Sequence, residues 1–285
     1  MPLRCILVPI GPGIDARHRL DAALRICRYT HAHIDALYIE PDPESTLRNM
    51  PDVVLASGIT AESIQQDARE AAGKAQAQFD EWCVRNDVPS GSDHRLDRTF
   101  ASWRRKVGDL EATVALSGRV SDLIVIDKPA LATPFHAVAF DAAVFSSGRP
   151  VLVIPREGYV DPLGHVAIAW NGSLEGARAV GQSIALLHEA ERVSVITVPS
   201  ERSGEAAGAD LCQYLQWHGI VTGPPITASA GSGSAGEAIL ATCGQLHATM
   251  LVMGAYTHSR MRELFLGGVT KHVLAHGTLP VLMAH

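Results

Sequence analysis

The chain has 285 residues, 47% hydrophobic and 19% charged, an ordinary globular composition with enough length for two domains. With 24 basic and 30 acidic residues the net charge is −6, and no long run of one sign suggests a nucleic-acid surface. The five cysteines (Cys5, Cys27, Cys83, Cys212, Cys243) are scattered and form no CxxC pair, which points to reduced thiols in the cytoplasm and not to a disulfide frame or zinc site. The N-terminus lacks a signal-peptide pattern, and no stretch reaches the roughly 18 apolar residues of a membrane span.

In chain order, the apolar run at 4–10 ("RCILVPI") predicts a buried parallel strand. A helix follows, with Leu20, Leu24 and Cys27 at helical spacing. A second strand is predicted at 33–39. The segment 41–58 reads as a loop or flap, and the alanine-rich, polar stretch 60–86 as a long exposed helix. Apolar runs at 122–127 and 149–155 close this half. The segment 156–164 is polar and turn-rich, and the series then restarts. A strand at 165–171 precedes a helix capped by Ser173, with Leu174, Ala177, Ile184 and Leu187 expected to face inward. Strands at 192–198, 249–254 and 279–285 complete the second set, with a shorter helix near 206–218.

Strands alternating with helices, twice over, predict two α/β domains, 1–157 and 163–285, each a parallel sheet with helices on both faces. Each half ends in a short apolar strand, "VLVIP" and "VLM". Such edges invite pairing, so the halves are expected to join through them as an intramolecular pseudo-dimer. Further association into a homo-oligomer is left open.

The segment "LVMGAYTHSRMRELFLGGVTKHVLAH" (251–276) poses the functional question. A glycine at a strand's C-terminal end lets a phosphate approach bare backbone, and the next helix N-terminus offers free N–H groups and a positive dipole end. Together with "HVAIAWNGSLEGARAV", "AGEAIL" and the closing "LPVLM", this segment makes the chain resemble the universal stress protein family in its tandem form. The resemblance covers both halves by element order, and the second half by motif. It implies doubly wound, Rossmann-like five-stranded sheets of order 3-2-1-4-5. It further implies ATP or another adenine nucleotide held by Gly-x2-Gly-x9-Gly-Ser/Thr after the fourth strand. Gly254 and Gly267 match that motif, while Thr257 and Gly268 stand where a second glycine and a hydroxyl residue are expected. His258 and Arg260, with Arg262, lie within the loop, and Thr270 is the nearest replacement hydroxyl. Asn171, Gly172 and Val198 would sit by base and ribose. Asn171 replaces the family's aspartate and lacks the charge that would hold a magnesium ion, which leaves the metal open.

The first half carries "DKPALATPFHAVAF" instead, with no glycine and with Asp127 at the phosphate end, so its site reads as lost. "GSGSAG" (231–236) fits a dinucleotide fingerprint formally but follows the strand-like "PITASA" (225–230), the third strand of its half and not the first, and has no acidic partner, so a helix cap at Ser234 explains it better. "GPGIDA" (11–16) reads as a β-α turn, because Pro12 removes a backbone donor. His272 and His276 lie on one face of the last helix, where they meet the negative dipole end and need no metal. No motif places a nucleophile beside its base. The leading expectation is therefore a non-enzymatic, cytoplasmic regulator of stress responses. The rivals are a slow nucleotide hydrolase using the same crevice, with His258 as acid-base group, and a ligand-free scaffold. No catalytic or metal-binding residue is assigned.

Overall fold

The computed structural model of the chain describes residues 2–48, 60–91, 98–129, 133–155, 161–198, 207–229, 233–255 and 268–285. In the first half, strands β1 (Cys5–Ile10), β2 (His33–Glu40), β3 (Ala101–Val107), β4 (Leu123–Asp127) and β5 (Val151–Ile154) are interleaved with helices. These are α1 (Arg17–Thr30), α2 (Pro43–Arg48), α3 (Ala61–Arg85), α4 (Leu110–Gly118) and α5 (Pro134–Ser146). The second half repeats the scheme with β6 (Val166–Trp170), β7 (Val193–Thr197), β8 (Ile226–Thr227), β9 (Met250–Gly254) and β10 (Val281–Ala284). Its helices are α6 (Leu174–Glu189), α7 (Ala207–Trp217), α8 (Ala235–Gln245) and α9 (Gly268–His276).

The strand order is β3-β2-β1-β4-β5-β10-β9-β6-β7-β8. Each half has the expected 3-2-1-4-5 order, but the two sheets are continuous. They join where β5 and β10 pair antiparallel, Leu152 opposite Leu282, while every other strand pair is parallel. Because that junction is antiparallel, the two crevices beyond the strand ends open at opposite edges of the sheet.

Strand alternation divides the core into two layers. Ile6, Val8 and Ile10 face a layer built with Leu20 of α1, Phe79 and Trp82 of α3, Val180 of α6 and Leu215 of α7. Leu7, Ile124 and Met253 face the other, with Val114 of α4, Phe140 of α5, Ile239 of α8 and Val273 of α9. Helices thus cover both faces of a mostly parallel sheet. Leu20, Leu24 and Cys27 are buried on α1 as expected. Trp82 is fully buried, and its indole N–H donates to Asp21 at 2.7 Å.

Of the residues expected to face inward on α6, Leu187 is buried and Ile184 packs partly buried against the core, but the first turn differs. Leu174 is 61% exposed and Ala177 is exposed, while Gly176, Ala179, Val180, Ser183, Leu186 and Leu187 are buried. The cause is a close contact there. A Cβ on Gly254 would lie 2.5 Å from the Gly176 nitrogen, so α6 enters glycine to glycine against β9, and that contact fixes which side turns inward. Within 41–58, Pro43–Arg48 forms a short helix, and 49–59 lies outside the described residues. The long helix α3 starts with a reciprocal cap between Thr60 and Ser63, which satisfies two otherwise free N–H groups.

Candidate nucleotide crevice and its filled counterpart

In the second half, β6, β7 and β9 end side by side: Trp170 pairs with Thr197, and Ala169 with Met253. The residues just past those ends are Asn171, Val198 and, closing β9, Gly254. This is the point where the strand order reverses, the usual ligand position in an open α/β sheet. Asn171 and Gly172 are exposed. The Asn171 side-chain oxygen accepts from the Ser173 nitrogen at 3.1 Å, and Gly172 turns the chain at φ +70°. Ser173 caps α6 by accepting from the Gly176 nitrogen at 3.1 Å. Val198 packs partly buried against the core.

Since α9 runs back from the end of β9 to the start of β10, its N-terminus lies at the same edge, headed by exposed Gly268. Thr270 is buried in the first turn of α9, so its hydroxyl is directed into the fold rather than left on the surface. Thr257, His258, Arg260, Arg262 and Gly267 lie outside the described residues. Ser234 caps α8 by accepting from the Glu237 nitrogen at 3.2 Å, as the turn chemistry of "GSGSAG" suggests. His276 Nδ1 lies 3.0 Å from the His272 carbonyl on the last turn of α9, and among the described residues no group of three or more His, Cys, Asp or Glu is placed to hold a metal ion.

The equivalent crevice of the first half is filled by the protein itself. Asp127 ends β4 with 2% exposure, at the position Gly254 takes in the second half. Three cationic or proton-bearing side chains converge on its carboxylate. Arg19 Nε lies 3.2 Å away, His136 Nε2 lies 3.0 Å away, and His18 Nε2 contacts the other oxygen. Arg19 is itself buried and also donates to the Pro9 and Asp15 carbonyls. Burial pushes the Asp127 carboxyl up, but the His18 hydrogen bond with the Arg19 and His136 fields outweighs it, and the net shift is below the ordinary 3.8. Burial lowers the His136 pKa against the opposing pull of Asp127. The Phe135 ring lies on Gly11, where a Cβ would come within 2.4 Å of it. Sequence reasoning identified Asp127 as hostile to phosphate. It missed His18, Arg19 and His136, whose only signal was separate placement just after β1 and at the start of α5.

A doubly wound tandem α/β protein whose first switch-point crevice is filled by its own side chains is the class these features define. Residues 220–285 match the model of the Universal stress protein family. Among solved structures, a universal stress protein from Archaeoglobus fulgidus DSM 4304 superimposes with a TM-score of 0.73 at 16% identity, over 98% of this chain and 95% of that one. A functionally unknown protein from Pseudomonas aeruginosa PAO1 gives a TM-score of 0.57 at 18% identity, over 98% and 92%. No curated protein matches. Residues 220–285 are thus similar to the universal stress protein family, and the chain as a whole shares the fold of these solved structures. No helix among the described residues is long and apolar enough to cross a membrane.

Proposed function

We propose that this chain is a non-enzymatic stress-response regulator whose C-terminal domain, 163–285, holds one adenine nucleotide, with ATP the leading candidate. The N-terminal domain, 1–157, serves as pairing partner without a nucleotide of its own. The observation that carries the reading is the contrast between the crevices. In the second half exposed Gly172 leaves bare backbone beyond β6, Gly254 gives its open side to α6, and the helix at the same edge starts with exposed Gly268. In the first half Asp127 and Phe135 take the corresponding space. Base and ribose would lie by Asn171, Gly172 and Val198. The phosphates would lie by Gly254, Thr257, His258, Arg260, Gly267, Gly268 and Thr270, at the positive end of α9. Asn171 supplies an amide where a carboxylate would favour magnesium, so a metal ion, if present, would rely on the phosphates.

Two measurements test this. Ligand released from purified protein and weighed by mass spectrometry should include an adenine nucleotide, and titration with ATP should saturate at one per chain. Among the described residues a Cβ at Gly268 meets nothing within 4 Å, so Gly268→Val should fold normally yet lose ATP affinity by roughly tenfold or more as the side chain fills the phosphate approach. Unchanged affinity in that variant, or two equivalent nucleotides per chain, would overturn the assignment. Turnover of ATP with added metal would favour the hydrolase instead.

A further inference from the structure

Thr133 is the N-cap of α5, in extended backbone at φ −124°, yet its side chain makes no capping bond. A threonine in that place ordinarily accepts from the second or third helical N–H. Here the hydroxyl meets His136 Nδ1 instead, and His136 Nε2 lies 3.0 Å from the buried Asp127 carboxylate. The order hydroxyl, imidazole, carboxylate is that of a nucleophile, its base and the group that orients the base. We infer that Thr133, His136 and Asp127 form an acyl-accepting site in the first half, taking a small acyl group from an activated carboxylic ester.

The parts fit their roles. The ionised Asp127, flanked by Arg19 and His18, lies 3.0 Å from Nε2, and its negative charge favours the tautomer with the proton on Nε2, which leaves Nδ1 free to take a proton. Burial favours the neutral imidazole, which is the form a base requires. Pro134 opens α5, so the positive end of a 13-residue helix lies beside Thr133, where negative charge would develop on the attacked carbonyl oxygen.

In the reaction, Thr133 Oγ bonds to the ester carbonyl carbon and its proton moves to His136 Nδ1. The bond from that carbon to the leaving oxygen breaks, and the leaving alcohol takes the proton from His136. Water then attacks the threonine ester, gives its proton to His136, and the proton returns to Thr133 Oγ as the acid departs. No electrons are exchanged with a second reagent.

The test uses the intact chain with p-nitrophenyl acetate. We expect p-nitrophenolate release together with an acetyl group mapped to Thr133 by peptide mass spectrometry. Labelling should accelerate as pH rises through a titration below 6.5, the ordinary histidine value. Thr133→Val and His136→Gln, each checked for a normal melting transition, should lose the labelling by about 100-fold, the lower range for a positioned acid-base group, and Thr133→Ser should retain it. Acetylation confined to other residues, or a Thr133→Val variant that reacts at the unaltered rate, would overturn the inference. The readout does not involve nucleotide, so its failure leaves the C-terminal crevice untouched, and failure there leaves this site untouched.

Discussion

Gly254 shows how one residue can serve a motif and a packing contact together. In the sequence it matches the first glycine of the family's phosphate motif, and in the structure its missing Cβ is where α6 enters. Added carbon would lie 2.5 Å from the Gly176 nitrogen and 2.8 Å from the Glu175 carbonyl carbon, both backbone atoms that cannot swing away. Gly254→Ala is therefore expected to destabilise the fold by about 1–3 kcal/mol, the range for overpacking a filled contact. Gly268→Ala, with nothing within 4 Å among the described residues, should change stability by no more than about 0.5 kcal/mol. Urea unfolding of the two variants checks this, and equal midpoints would show that the glycine contact is not the constraint. The buried histidines set a pH dependence at the same scale. Desolvation lowers the pKa of His136 and of His165 below 6.5. His136 faces Asp127, Arg19 and His18, and His165 faces the Leu246 carbonyl and Arg192. The unfolded chain therefore takes up these protons first, so stability present above about pH 6.5 is lost as the pH falls below it. Urea midpoints should drop between about pH 7.5 and 5.5, and the drop should shrink in a His165→Gln variant; Asp127, held below 3.8, titrates under this window. A flat profile would contradict the burial assigned to these rings.

Among the elements, those buried on both faces were legible and those at the margins were not. β1, β4, β5, β9 and β10 are continuous apolar runs because helices cover them on both sides, and the sequence announces each one. β3 is an edge strand whose Arg104 and Arg105 pair with Asp35 and Glu40 on β2, so its sequence, "ASWRRKV", carries charge where a core strand would not. β8 has only two residues, Ile226–Thr227, which lie within the strand-like "PITASA" at 225–230. On α6 Ile184 and Leu187 were placed inward correctly, but the first turn was misread because apolar Leu174 was counted into the stripe, while the real anchor there was a glycine, which hydrophobic spacing does not register. In the second half Asn171, Val198 and Gly254 could be placed just past or at strand ends from the sequence, because they follow apolar runs in a recognisable order. The Asp127 cluster was not, since His18 and Asp127 are 109 positions apart and only the β1-β4 pairing brings α1 over the end of β4.

At the scale of the molecule, the junction between β5 and β10 turns two sheets into one. Val281, Leu282 and Met283 have no exposure, and each pairs across the junction with Val153, Leu152 and Val151. Other contacts cross between the halves: Lys128 donates to the Gly277 carbonyl at the end of α9, Gln182 donates to the Gly148 carbonyl at 3.4 Å, and Tyr29 donates to Asp161. Removing the first half would therefore bare an apolar strand edge and leave the C-terminal end of α9 without its lysine. An uncovered edge of this kind pairs with whatever edge it meets. In the intact chain the partner strand is tethered, so it is present at high effective concentration. Expressed alone, residues 160–285 should form a homodimer through antiparallel β10 pairing, or aggregate, and should melt below the intact protein. Size-exclusion chromatography with light scattering distinguishes these states, and a Leu282→Lys substitution in the fragment should disfavour the dimer by placing charge on a strand that has no exposure in the intact sheet. A fragment that stays monomeric at high concentration and is as stable as the intact chain would mean that the two halves do not need one another, and that the first half is retained for something other than its edge.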